Sequence, residues 1–356
     1  MTKTILRLTV SAGLLLLTGV MVLLANYLNP VIFSFYPGLS RGAIKILAGM
    51  ASIFPVPLWE LLLIAGILWF LISLVRSILR RQFPLWVTGV LLVVCVGVTA
   101  FVGLWGLNYY APPMQERLGL PDRRYSREEL LQAAAYYRDR VNEAAPSVRR
   151  NPDGTMADCD FHELSDAAGE GYEVLAQTMD CFDGSTVGVK KLLSSPLMGK
   201  LGTTGVFLCL TGESCVSTTT YTASLPFTMC HEIGHRMAFA REDEANFAAF
   251  LACSASSRPE FLYSGYYQAF RYCYNSLCRI DAAAAEDLWQ GLSPLAQADY
   301  AAAIRHYNEL EEKKVSQVTD KVYDTYLKSF SVESGIQSYG EVTDLLLAWY
   351  FDRLQN

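Results

Sequence analysis

The segment Cys230-His231-Glu232-Ile233-Gly234-His235 carries the residues of this chain best suited to chemistry. His231 and His235 are four apart, which on an α-helix puts both imidazoles on one face and within reach of one cation. Glu232, beside the first histidine, then stands next to the coordination position left for a water. Two nitrogen donors and a carboxylate base at this spacing are the apparatus of zinc-dependent peptide hydrolysis, with Glu232 as general base. The chain has only four histidines, and this motif uses two of them. His162 and His306 stand alone and read as ordinary surface or core residues.

A tetrahedral Zn²⁺ site needs a third protein ligand. The position six beyond His235, where one zinc-protease pattern has a third histidine, is Arg241. The acidic run Glu242-Asp243-Glu244 follows directly. Glu244 shares a helical face with Phe247, Ala248 and Leu251, an apolar face expected to turn inward, and a carboxylate heading a buried stripe is costly unless paired or metal-bound. Glu244 is therefore the expected third ligand, with Glu242 and Asp243 as the alternatives. Its reach requires a tight turn near residues 238–240. Tyr221 and Tyr339 are the candidate hydrogen-bond donors to a tetrahedral oxyanion.

These residues need a scaffold. Residues 190–217 carry Pro196, Gly199, Gly202 and Gly205 and then the apolar run 206–210, which reads as a hairpin or small sheet. Strand 206–210 or 215–220 would lie beside the motif helix and could hold a substrate backbone by strand addition. Ser126 with Glu129 opens a helix over 126–143. Further helices are expected over 164–179, 244–254, 259–280, 281–289, 294–307, 313–328 and 339–353.

The front of the chain differs in kind. Up to Tyr110 there are seven Lys/Arg and a single acid, Glu60, a net charge of +6; the remainder has 22 Lys/Arg against 34 Asp/Glu, a net −12. Three apolar runs, 8–28, 58–79 and 84–107, approach or exceed the ~20 residues a bilayer-spanning helix needs. Residues 44–54, between the first two, read as an interfacial or re-entrant helix or a loop. The expectation is a three-helix transmembrane region over 1–110 and one domain over 111–356, α+β and mainly helical with a small sheet. An acidic domain argues against nucleic-acid binding. The basic turn 76–84 is expected in the cytoplasm, which puts the C-terminal domain outside it. Eight cysteines in that domain suit disulfides in an oxidising compartment, with 209–215, 273–278 and 230–253 as candidate pairs.

The three spans followed by His231–His235 and Glu242-Asp-Glu-Ala-Asn-Phe247 resemble a bacterial membrane-protein family catalogued as domain of unknown function 3810, whose back domain is regarded as zincin-like. The segment from Glu242 also resembles that of antirepressor-type metallopeptidases, in which the Glu of Glu-Ala-Asn binds zinc. That resemblance implies Glu244 as ligand. Ala248 stands where gluzincins carry a supporting acid, so that partner must come from elsewhere or be missing. The expected function is a membrane-anchored zinc metallopeptidase acting on peptides or proteins. The alternative is a non-catalytic membrane sensor or peptide-binding protein with the same metal-binding domain.

Overall fold

The computed structural model describes residues 2–310 and 341–355. The expected helix 313–328 and Tyr339 lie outside the described residues. Among the described residues three helices are long and apolar enough to cross a bilayer: α1 (Thr2–Tyr27), α4 (Leu58–Leu79) and α5 (Phe83–Leu104), with mean hydropathies of 2.3, 2.4 and 2.5. Their outward side chains, such as Leu16, Leu62, Leu68 and Val94, are exposed, so lipid rather than protein must cover them. These helices mark the chain as membrane-associated. Inside the bundle Thr18 and Thr99 join their hydroxyls at 2.9 Å.

Between α1 and α4 lie α2 (Asn29–Phe33) and α3 (Tyr36–Ala51). Helix α3 buries Tyr36, Ser40, Ile44, Ala48 and Ala51. That four-residue period gives one inward stripe, while Leu39, Ile46 and Met50 remain exposed. The segment over 44–54 is thus the end of a longer helix and a turn.

The back domain grips the bundle through exchanged carboxylates. Glu213 accepts the backbone N–H groups of Leu58 and Trp59 at 2.8 and 2.9 Å, capping α4. Glu60, from the first turn of α4, accepts the N–H groups of Leu193 and Ser194 at 2.7 and 3.0 Å. Each carboxylate satisfies donors that a helix start or turn leaves orphaned. Glu60, in the sequence a mere interruption of an apolar run, is therefore a buried anchor.

After the bundle come α6 (Met114–Leu118) and α7 (Arg127–Ala144), the latter with the expected capping box of Ser126 and Glu129. The expected helix 164–179 is instead two short helices, α8 (Phe161–Ala167) and α9 (Glu170–Ala176). They break at Gly169, where a Cβ would stand 2.3 Å from the Thr186 carbonyl oxygen. The sheet has three strands: β1 (Lys190–Lys191), β2 (Gly205–Leu208) and β3 (Glu213–Val216). Their order is β1-β3-β2, parallel on the β1 side and antiparallel on the β2 side, which leaves β2 at an edge. Helix α10 (Ser195–Lys200) lies between β1 and β2 in the chain. The motif helix α11 (Leu225–Arg236) is followed by α12 (Glu242–Ala255), α13 (Pro259–Ile280), α14 (Ala282–Gln290), α15 (Pro294–Leu310) and α16 (Glu341–Trp349). Helix α12 is the centre of the core, buried at every position from Glu242 to Cys253.

The expected disulfides are corrected: all nine cysteines are free thiols. Cys273 and Cys278 sit five apart on α13, about 140° around the helix, and point different ways. Cys215 accepts the Trp59 indole N–H at 3.4 Å, while Cys209 packs against Ile44, Trp105 and Tyr109. Cys230 and Cys253 do meet in the core, as that expected pair requires, but as free thiols.

Candidate metal centre

Helix α11 ends in a reversal that builds the site. The N–H groups of Met237 and Phe239 return to the carbonyls of Ile233 and Gly234, and Ala238 takes a left-handed φ of +66°. A non-glycine there costs on the order of 1 kcal/mol. The reversal expected at 238–240 thus forms, and it swings the first residue of α12 back over the histidines.

That residue is Glu242. Its Oε2 stands 3.3 Å from His231 Nε2 and its Oε1 3.6 Å from His235 Nε2. One donor atom from each of His231, His235 and Glu242 falls within 4.8 Å of the others. Zinc bonds of ~2.0–2.1 Å put two ligands of a tetrahedron roughly 3.3–3.5 Å apart, so the three residues fit such an ion.

Glu244, the expected ligand, is not at the histidines. Its carboxylate accepts the Met114 N–H at 2.8 Å and the Arg117 guanidinium at 2.6 Å. Two residues turn a helix by about 200°, so when Glu242 faces α11, Glu244 faces away. The buried-stripe argument fails because α12 is buried on every side. Asp243 is buried too but lies outside the histidine cluster.

Both imidazoles are held. His235 Nδ1 pairs with the Phe239 carbonyl at 2.8 Å, which leaves Nε2 turned toward Glu242. Phe207 stacks on the His235 ring at 6.1 Å, and Trp105 meets it edge-on at 6.0 Å. On the other side of α11 the buried Arg236 donates to Ser214 Oγ at 2.7 Å, and Ser214 donates to the Glu232 carbonyl at 2.6 Å. Among the described residues the buried His231 Nδ1 and Glu232 Oε2 have no hydrogen-bond partner, although Asn246 lies beside the His231 ring. A supporting acid for His231 is therefore missing at this position, as Ala248 foretells.

The electrostatics divide the histidines. Burial pushes His235 down to about 4. Burial acts the same way on His231, but the hydrogen bond and charge of Glu242 overcome it and lift that imidazole to about 9. Burial raises Glu232 to about 8.

A cavity of about 660 Å³ opens on these groups. Residues 203–209 form one wall, with Phe101, Trp105 and Tyr109 at one side and Gln268, Arg271, Tyr272 and Tyr307 from α13 and α15. Gly205 lies against Glu232: a Cβ there would stand 2.2 Å from Glu232 Oε1. Asn246 Nδ2 and Gln268 Oε1, on the same walls, are buried without partners.

A family model described as protein of unknown function (DUF3810) matches residues 34–347. The chain belongs to the DUF3810 family. No curated protein and no solved structure matches it. The DUF3810 match runs from just before α3 into α16; it leaves out α1 but takes in α4, α5 and the whole site.

The remaining candidates lie apart. Tyr221 donates its hydroxyl to Asp299 at 3.2 Å, and His306 Nε2 meets the Thr219 carbonyl at 2.6 Å. His162 stacks edge-on with Phe161. The sequence reading held Glu242 only as an alternative to Glu244, and it missed Asn246, Trp105 and Tyr272. The four-residue spacing of Glu242 and Asn246 was the available signal, since it puts both on the face that meets α11.

Proposed function

We propose that this DUF3810 protein is a membrane-anchored zinc metallopeptidase whose zincin-like site is His231, His235 and Glu242. The observation that carries the reading is the convergence of three donors of zinc-ligand type within 4.8 Å of one another, beside the buried Glu232. A zinc ion bound there would polarise a peptide carbonyl and acidify water. Glu232 takes the proton from the attacking water and passes it to the leaving amine.

The substrate backbone lies along β2. Thr204 pairs with Ser217 through the Ser217 N–H at 2.8 Å. The alternation of an antiparallel ladder then turns the backbone groups of Gly205 and Phe207 to the free edge, where an extended peptide adds as a strand. Gly205 leaves that edge in contact with Glu232.

The basic residues Arg7, Arg76 and Arg80 border one groove at the far end of the bundle. Positive residues are retained in the cytoplasm, so the domain is proposed to lie on the other side. The free thiols lend that orientation no support.

Metal analysis of the purified full-length protein tests the reading. About one zinc per chain is expected, and E232Q should keep the metal while losing hydrolysis. A zinc-free wild type would defeat the metal site. Full zinc with no Glu232-dependent hydrolysis would leave the domain a binding module.

A further inference from the structure

The cavity wall contributed by α13 carries a cation unrelated to the histidines. Arg271 lines the cavity and is exposed, with its guanidinium carbon 5.5 Å from the centre of the Tyr272 ring. The titratable groups nearest to it are the neutral phenols of Tyr272, Tyr267, Tyr300 and Tyr307. Among the described residues no carboxylate pairs with it. The half-buried arginines of the same domain are matched: Arg117 with Glu244 and Arg150 with Asp299. One turn before Arg271, the buried Gln268 lines the same cavity, and among the described residues its Oε1 has no hydrogen-bond partner.

The edge strand relates this wall to the reacting centre. Phe207 meets Trp105 at 5.4 Å, so the C-terminal end of β2 is at the membrane helix. Gly205 meets Glu232. The residues before it lead away: the Thr204 carbonyl accepts from Thr220, whose neighbour Thr219 meets His306, next to the wall residue Tyr307. A chain laid along β2 therefore passes Glu232 and continues toward Arg271. A guanidinium beside aromatic rings and without a carboxylate partner gains from a planar, bidentate oxygen anion.

We propose that Arg271 is the specificity residue of this site, binding a carboxylate of the extended polypeptide a few residues from the bond beside Glu232. The inference rests on the peptidase reading above. Gln268 Oε1 accepts a backbone N–H of the same segment. The carboxylate is an Asp or Glu side chain or the free C-terminus, two sources of one chemistry.

The test uses the zinc-loaded full-length protein in detergent and a peptide pool made by digesting a proteome, half of it C-terminally amidated. Cut sites are read by mass spectrometry, and the readout is the ratio of acid-bearing to neutral peptides cut in one reaction. The wild type should enrich a carboxylate at one fixed position on the order of tenfold. R271Q should bring the ratio to that of the pool, and R271E should favour Lys or Arg there. Loss of enrichment on amidation assigns the C-terminus; survival assigns a side chain. An unchanged preference in R271Q overturns the proposal. A second arm reads peptides retained by E232Q and by E232Q/R271Q. If no Glu232-dependent cuts occur, the hydrolytic reading fails, and acid enrichment lost in the double variant still supports Arg271. Absence of enrichment in both arms overturns it.

Discussion

Trp105, one residue past the last candidate span, donates its indole N–H to the carbonyl of His235 at 3.1 Å. The end of a membrane helix thus touches the end of the metal-motif helix directly. W105F removes the hydrogen bond and should cost about 1 kcal/mol. W105A also empties a buried site and should cost about 3 kcal/mol. Thermal unfolding in detergent, with and without zinc, measures both. Equal melting of W105A and wild type would mean that this contact does not tie bundle to site.

Glu242 and Glu244 can be told apart. E242A should lower zinc affinity by at least about a hundredfold, since it removes a donor. E244Q should retain zinc but lose about 3 kcal/mol of stability, because Arg117 is left buried beside a neutral group. Zinc competition titrations paired with melting curves separate the two. The reverse pattern would restore Glu244 as the ligand.

Gly205 has a role that only its closeness to Glu232 explains. A methyl group there must displace the carboxylate or the edge strand. G205A is expected to keep zinc and to lose about a hundredfold in turnover, the scale of an ångström-sized misplacement. Zinc content measured alongside rate checks it, and a full rate would show that Glu232 has room to move.

The start of α7 predicts a pH effect outside the site. Arg123 and the Ser126 N–H hold Glu129 down at about 2 from its usual 4.5. A lowered folded-state pKa stabilises only the ionised form. Its contribution is therefore complete above 4.5 and is lost as the pH falls toward 2. The melting-temperature difference between wild type and E129Q should be constant from pH 7 to 5 and shrink below that. A difference undiminished at pH 2.5 would refute the capping role.

The membrane bundle was legible because spanning a bilayer imposes length and apolarity on consecutive residues. The spacing of His231, Glu232 and His235 was legible for the same local reason, since a helix fixes which of them share a face. Glu244 misled because burial is not direction: inward-facing and metal-facing coincide only when a helix has a single buried side. The disulfides misled because a count of cysteines contains no distances.

By itself the sequence determined the membrane front, the mainly helical back, the capping box of α7 and the histidine pair. Each is set by residues close along the chain. The tertiary structure alone decided that Glu242 closes the cluster, that Trp105 meets His235, that Gly205 touches Glu232, and that Arg271 shares their cavity. Those relations depend on the left-handed Ala238 and on how α5, α11 and α13 pack around β2, and such contacts between distant residues leave no periodic trace in a sequence.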